Sequence, residues 1–485
     1  MTLNPGSTPA PVNAAALRQI NDLPGPRGWP LLGNLLQVRM PRIHQDMEAW
    51  SRQYGPFFRV RLGPTRLLVV ADHQAINAIL RDRPDGFRRA SRVREVGVEM
   101  GATPGLFTAE GESWRNQRRM VMASFAPGHI RAYFPSLLKV TQRLQTRWQK
   151  AARQGVPIDL QADLKRFTVD AIAGLAFGSE VNSLESGEDV IQRHLDIVLA
   201  GVYRRVMSPL PYWRWLRLPA DRQIERSNAA LRTAIQDFVA QARARIEADP
   251  GLREHPRNLL EAMIAAADQG DAGVDDRDVV GNVSTMLFGG EDTTANTLAW
   301  LIYLLHRNPR AWRLAQDEVE RLAPDPASLT LEQIDALDYL EACANEAMRL
   351  KPVAPFRGLE ALRDTTVADI HVPAGTTVWC VMRHDSVDER HFPNASEFEP
   401  QRWLSDGVAP AAGGVAKRVA MPFGSGPRLC PGRYLALLEI KLAMAMLVSR
   451  FEIEAVDTPD GGEAQEVMAF TMNPVGLRMR LRERG

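Results

Sequence analysis

The chain has 485 residues, 45% of them hydrophobic and 24% charged, with a net charge of +1; this is a globular composition with length enough for a large core. The near-neutral balance argues against a nucleic-acid binder. Three cysteines, Cys343, Cys380 and Cys430, are an odd number without metal-ligand spacing, which argues against a disulfide framework and for a reducing, cytoplasmic setting.

In chain order, residues 1–22 are polar and rich in Pro and Ala. They lack a basic region followed by an apolar run, and are expected to form a flexible leader. Residues 23–34 are Pro/Gly-rich and extended. A helix is expected over 42–54, then a β-hairpin of 57–62 and 67–71 around Gly63-Pro64-Thr65. From about 72 to 350 the periodicity is predominantly helical, with long stretches near 112–124, 130–153, 161–177, 186–201, 221–248, 258–268, 277–306 and 309–322. The most apolar of these is interrupted by Asn282, Ser284, Glu291 and Asp292, so it reads as a buried helix, and no transmembrane anchor is expected. Beyond Lys351-Pro352, short strands are predicted over 367–372 and 376–381, and others near 452–456 and 467–471, with an apolar helix over 434–448. No linker divides the chain. The expectation is one domain over 23–485, mainly α with small accessory β-sheets, in which short strands from both ends pair because a lone hairpin is marginal.

Four constellations carry chemistry. Trp114 and Arg118 stand four apart in a helix that opens with a cluster of cations; an indole N–H and a guanidinium suit a carboxylate ligand, and a solvated basic face is the plainer alternative. Gly289-Gly290-Glu291-Asp292-Thr293-Thr294 lies mid-helix, where two glycines cost about 1 kcal/mol each. Either something approaches the backbone there, with Asp292 and Thr293 as a proton relay, or two helices cross tightly. Glu346 and Arg349 share a helix face, and Arg402, in Phe398-Glu399-Pro400-Gln401-Arg402-Trp403, can join the same carboxylate in a buried network. Finally, Phe423-Gly424-Ser425-Gly426-Pro427-Arg428-Leu429-Cys430-Pro431-Gly432 fits F-x-x-G-x-R-x-C-x-G at every fixed position. Its glycines let the backbone turn and approach a flat ligand, and the following helix N-terminus favours a thiolate on Cys430 suited to one axial bond to haem iron.

Together and in this order, these motifs closely resemble the cytochrome P-450 superfamily, from about Leu23 to the C-terminus, in its soluble bacterial type. The resemblance implies that family's fold and haem b (iron protoporphyrin IX), with Cys430 as the proximal iron ligand and Phe423 beside it. Trp114, Arg118 and Arg428 would bind the propionates, Gly289 and Gly290 would lie near the oxygen site, and Asp292 and Thr293 would manage oxygen and its protons. Glu346, Arg349 and Arg402 would form a structural triad. One departure stands out: where many members place a propionate-binding Arg or His, five residues before Asp364, this chain has Leu359, and Arg357 lies two residues earlier on the same strand face.

The implied reaction is insertion of one oxygen atom of O2 into a substrate C–H bond, by hydroxylation or epoxidation, with the other reduced to water. The walls implied for the substrate, 88–107, 197–218, 353–357 and 470–472, are apolar and aromatic with scattered Arg. They suit a lipophilic small molecule such as a terpenoid, steroid or fatty acid. With so little chain after Cys430, a separate ferredoxin or flavodoxin with its NAD(P)H reductase is expected as electron donor, docking on Arg118, Arg119, Arg433 and Lys441. Two other readings stand beside this one. A haem-thiolate peroxygenase or isomerase needs no electron supply, though such members usually replace the Asp292-Thr293 pair; a non-catalytic haem sensor needs no relay.

Overall fold

In the computed structural model, residues 17–186, 190–269, 273–325, 328–404 and 411–484 are described. The helix Asp276–His306 runs through the middle of the structure and packs along Leu160–Phe177. Local signals at their ends explain both. Asp275 accepts from the Arg277 and Asp278 N–H groups, and Asp278 reaches back to the Asp275 N–H, a reciprocal cap. The second helix is capped by Asp159 and stops at Gly178, whose φ is +62°. Between them, the Thr168 hydroxyl donates to the Glu291 carbonyl at 2.9 Å. The core around this pair includes Trp148, Phe167, Phe177 and Trp300, all fully buried, and the largely buried helix Arg433–Arg450 packs against it.

Strands from both ends of the chain do pair. The hairpin Phe57–Leu62 and Thr65–Val70 sets its second strand parallel to Thr377–Val381, which continues antiparallel to Phe356–Ala361 and on to Phe87–Arg89. Two features of the sequence reading change. The predicted strand 367–372 is a tight hairpin, Thr365–Val367 and Ile370–Val372, turning at Ala368 (φ +52°), and the predicted strand 467–471 is likewise the hairpin Glu466–Met468 and Met472–Pro474. The expected leader does not extend to residue 22, since Arg18–Gln19 is a strand and Ile20–Asp22 a short helical turn. Arg18–Gln19 pairs with Ile370–Val372, and Arg18 forms an ion pair with Asp369 at 2.6 Å; residues 1–16 lie outside the described set.

Candidate active site

The loop before Arg433–Arg450 is held by its own backbone. The Gly424 N–H donates to Met421 O at 2.8 Å, Leu429 N–H to Gly426 O at 3.1 Å, and Cys430 N–H to Phe423 O at 3.1 Å. Gly426 has φ +70°, and a Cβ there would stand 2.6 Å from the Leu80 carbonyl. Only glycine fits, because the helix His73–Arg81 presses directly on the loop. A hydrogen bond from Ser425 to Asn77 ties the same two segments.

Cys343 and Cys380 are buried, whereas Cys430 is exposed. Yet burial is the largest influence on the Cys430 thiol and pushes its pKa up, outweighing the Gly432 N–H, Arg357, Arg118 and Arg433. The thiol is thus reachable by water yet crowded by surrounding protein. The helix terminus and the nearby cations pull toward the thiolate, as expected, against this burial, and a coordinated metal would complete the shift, because it displaces the thiol proton outright.

Beside this thiol lies a group of arginines. Burial lowers the pKa of Arg118, Arg357 and Arg428, and lowers Arg89 well below its ordinary value. Arg83, 4% exposed, is pushed down to about 10 by burial and by Arg428 and Arg357. Glu110 is the carboxylate set against them: it is ion-paired with Arg428 and accepts the Arg89 N–H at 3.0 Å. Arg428 also donates to Ala109 O at 2.7 Å and lies over the buried Trp114 ring, 4.7 Å from its centroid. Even so, Nε and Nη2 of Arg83, Nε of Arg357 and Nε of Arg428 are buried without partners. Buried cations in such excess are costly unless an anion joins them. Two carboxylates of a haem would supply that charge, so the residues present fit the group.

The register explains how Leu359 is accommodated. Arg89 stands opposite Leu359 in the sheet, and Arg357 shares that face two residues away. Leu359 is buried in an apolar cluster, and Arg357 and Arg89 flank it with charge. Arg357 reaches the thiol loop, since a Cβ on Gly424 would stand 3.0 Å from its Nη1. Sequence reasoning missed Arg83, Arg89 and Glu110. Nothing in the Arg-dense run 81–94 says which guanidinium turns inward.

The two glycines of the central helix divide the alternatives between them. A Cβ on Gly290 would meet Ile172 at 3.1 Å, which is a tight helix crossing; a Cβ on Gly289, which is exposed, would meet nothing within 4 Å. The half-buried Thr293 hydroxyl donates to Gly289 O at 2.6 Å. Asp292 is buried and turned into a different network: Oδ1 accepts from Asn296 at 3.0 Å and lies 3.1 Å from Lys165 Nζ, and Oδ2 accepts from Thr471. Burial opposes charge on Lys165, but Glu291, Asp292 and Asp196 outweigh it and raise its pKa; burial raises Glu291, whose carboxylate oxygens lack hydrogen-bond partners. Lys165 is thus shared among three carboxylates, Asp292, Glu291 and the more exposed Asp196. Lys165, like Arg83, Arg89 and Glu110, carries no signal in the sequence that would mark it.

Glu346 and Arg349, three residues apart on one helix, are joined by Arg402 from 53–56 residues further along the chain. Glu346 accepts from Arg349 at 2.7 and 2.9 Å, from Arg402 at 3.3 Å, from Trp403 Nε1 at 2.8 Å and from the Glu399 N–H at 3.0 Å. Arg349 also donates to the carbonyls of Ser386, Ala395 and Glu397. Lys441, expected on a docking face, is instead buried against Glu341 (3.2 Å) and Asp335 O (3.3 Å). Arg119 and Arg433 are exposed, and Arg118 is half-buried near Cys430.

Of the expected substrate walls, 88–107, 353–357 and 470–472 meet one another and the central helix, whereas 197–218 packs against the 88–107 wall, with Trp213 Nε1 donating to Glu99 at 2.8 Å. Phe107 and Phe470 have ring centroids 5.8 Å apart, Met472 N–H donates to Val353 O at 2.9 Å, and Leu106 N–H donates to Asn282 Oδ1 at 3.0 Å. Among the described residues, no helix is long and apolar enough to cross a membrane.

Comparison with known proteins agrees with this geometry. The family model for cytochrome P450 matches residues 23–480. A self-sufficient cytochrome P450 monooxygenase of Oidiodendron maius is 29% identical over 475 residues, covering 95% of this chain but 42% of that protein, so this chain spans less than half of its length. Protein LUTEIN DEFICIENT 5 of Arabidopsis thaliana is 26% identical, covering 87% of this chain and 71% of that protein. The cyclooctat-9-en-7-ol 5-monooxygenase of Streptomyces melanosporofaciens is 28% identical, covering 93% of each. With the match running over nearly the whole chain, this protein belongs to the cytochrome P450 family of monooxygenases, which bind haem b through a cysteine thiolate.

Proposed function

We propose that residues 23–485 form a single haem domain that oxidises a lipophilic small molecule, of terpenoid type, with electrons from a separate ferredoxin or flavodoxin. The observation that carries the reading is a reachable but desolvated Cys430 thiol beside buried arginines with unpaired nitrogens. When bound, haem supplies the dioxygen binding and the electron chemistry of C–H oxidation. The chain's own residues do the rest. Cys430 is the metal ligand, and Arg83, Arg89, Arg118, Arg357 and Arg428 are the cations available to the propionates. Thr293, held by Gly289 O, presents a hydroxyl at the exposed glycine, and Asp292 behind it, bonded to Lys165 and Thr471, is the acid nearest in chain for passing protons inward.

The terpenoid class rests on Phe107 and Phe470 lining the walls and on the names of relatives such as the cyclooctat-9-en-7-ol 5-monooxygenase. Exposed Arg119 and Arg433, near the thiol loop, suit an acidic electron carrier. The free cysteines favour a reducing cytoplasm. The test is NADH-driven turnover of the haem-loaded protein with ferredoxin and flavodoxin systems, after an optical screen of terpenoids, steroids and fatty acids for a Soret shift. Oxidised product that requires both O2 and reductant supports the reading. Product formed from peroxide alone, with none under NADH in any partner system, favours a peroxygenase. A Cys430→Ser variant that retains the thiolate-type ferrous–CO spectrum removes the ligand assignment.

A further inference from the structure

Away from the thiol loop, three imidazoles converge on one buried carboxylate. His73 Nδ1 lies 2.7 Å from Asp385 Oδ2, His391 Nε2 lies 3.8 Å from the same oxygen, and His384 Nε2 lies 3.9 Å from Oδ1. The His73 and His391 rings meet edge to face, with centroids 4.7 Å apart. One donor atom from each of His73, Asp385 and His391 lies within 4.8 Å of the other two. The edge of a tetrahedron with zinc-ligand bonds of about 2.0–2.1 Å is about 3.3 Å. The contact at 2.7 Å would open, and the one at 3.8 Å would close, by about half an ångström each, which side-chain torsions alone can supply.

The cluster is built to hold its carboxylate in place. The His73 backbone N–H donates to Asp385 Oδ2 at 2.8 Å, and Asp388, the other nearby acid, is taken up by Arg390 at 2.8 Å. His73 and His391 are partly exposed while Asp385 is buried, so an ion has a way in and a solvent-facing position left over for water. Two imidazoles and one carboxylate are a nitrogen-rich, borderline donor set. It suits zinc and its neighbours in the transition series rather than magnesium or calcium, which take oxygen.

We propose that His73, Asp385 and His391 form a zinc-class divalent metal site that staples together two supports of the cysteine loop. His73 opens the helix whose Leu80 and Asn77 press on that loop. Asp385 opens the turn whose next residue, Ser386, accepts from Arg349 at 2.5 Å. A cation held by both joins segments 312 residues apart and stabilises the folded state by mass action, without touching the haem chemistry.

The test is calorimetric titration of chelator-stripped, haem-loaded full chain with Zn²⁺ and with Mg²⁺, together with thermal unfolding at rising zinc. One Zn²⁺ per chain, no Mg²⁺ uptake and a melting temperature that climbs with zinc are expected. His391→Ala, and separately His73→Gln, which keeps the backbone N–H, should each weaken zinc binding by about tenfold or more while leaving the ferrous–CO spectrum unchanged. The site should persist in Cys430→Ser, which separates it from zinc taken by the thiol and from any failure of the haem reading. No zinc uptake by the wild-type chain, equal affinity in both histidine variants, or loss of uptake in Cys430→Ser overturns the proposal.

Discussion

Lys165 Nζ lies 3.1 Å from Asp292 Oδ1, so the acid of the central helix carries its own buried counter-ion, supplied by the neighbouring helix. Removing the ammonium strands that charge. Lys165→Met should destabilise the fold by roughly 3–5 kcal/mol, read by denaturant unfolding. Adding Asp292→Asn to it should recover much of the loss. Additive losses in the double variant would mean that the two side chains are not coupled.

Thr293 is half-buried and its hydroxyl bonds within its own helix, to Gly289 O at 2.6 Å. Thr293→Ala should therefore change stability by about 1 kcal/mol or less. Product formed per electron should fall several-fold, with peroxide making up the difference. Parallel measurement of NADH, product and peroxide checks this.

Arg83 is buried with Nε and Nη2 unpartnered, next to other cations. Arg83→Met should leave the haem-free chain as stable as wild type or more so, because a buried, uncompensated charge is replaced by an apolar chain of similar length. Haem retention should move the other way, falling by about tenfold, as measured by haem transfer to an acceptor globin. A loss of stability in the haem-free variant would show that Arg83 is already compensated without haem.

Arg349 is wholly buried, paired with Glu346 and bonded to three carbonyls. Arg349→Ala should cost roughly 3–5 kcal/mol and lower the fraction of chain that takes up haem. Arg349→Lys should not restore it, since an ammonium cannot reproduce the two-pronged pairing. Unfolding curves and the haem-to-protein absorbance ratio report both effects.

Glu439 is fully buried, and burial raises its carboxyl pKa well above the usual range, with Thr294 pulling weakly the other way. Its contribution to stability is complete below the unfolded-state pKa of about 4.3 and shrinks as pH climbs toward the raised folded-state value. Glu439→Gln should therefore match wild type in acid and gain on it with rising pH, by up to about 1.4 kcal/mol per pH unit. Melting temperatures across a pH series test this; a constant offset would mean that Glu439 does not titrate differently in the folded state.

Much was legible because it is local. Helix ends follow from caps such as Asp275 and Asp159, and the helix bearing Glu346 and Arg349 ends at Leu350, before Pro352. The hairpins at 365–372 and 466–474 look like single strands in the sequence because a two- or three-residue turn leaves the apolar pattern almost unbroken. Lys441 reads as a surface cation in the sequence because a charged residue in an apolar helix gives no sign of the carboxylate waiting across the interface.

By itself, the sequence determined the order of helices, the cysteine loop with its glycines, and the pairing of Glu346 with Arg349, since each depends on residues within a few positions of one another. Tertiary structure decided which arginines of a dense run turn inward, which glycine of an adjacent pair meets a helix and which meets open space, and that Lys165 would answer Asp292. Those outcomes depend on burial and on charge brought from far along the chain, and a side chain's desolvation is settled only when the elements around it have packed.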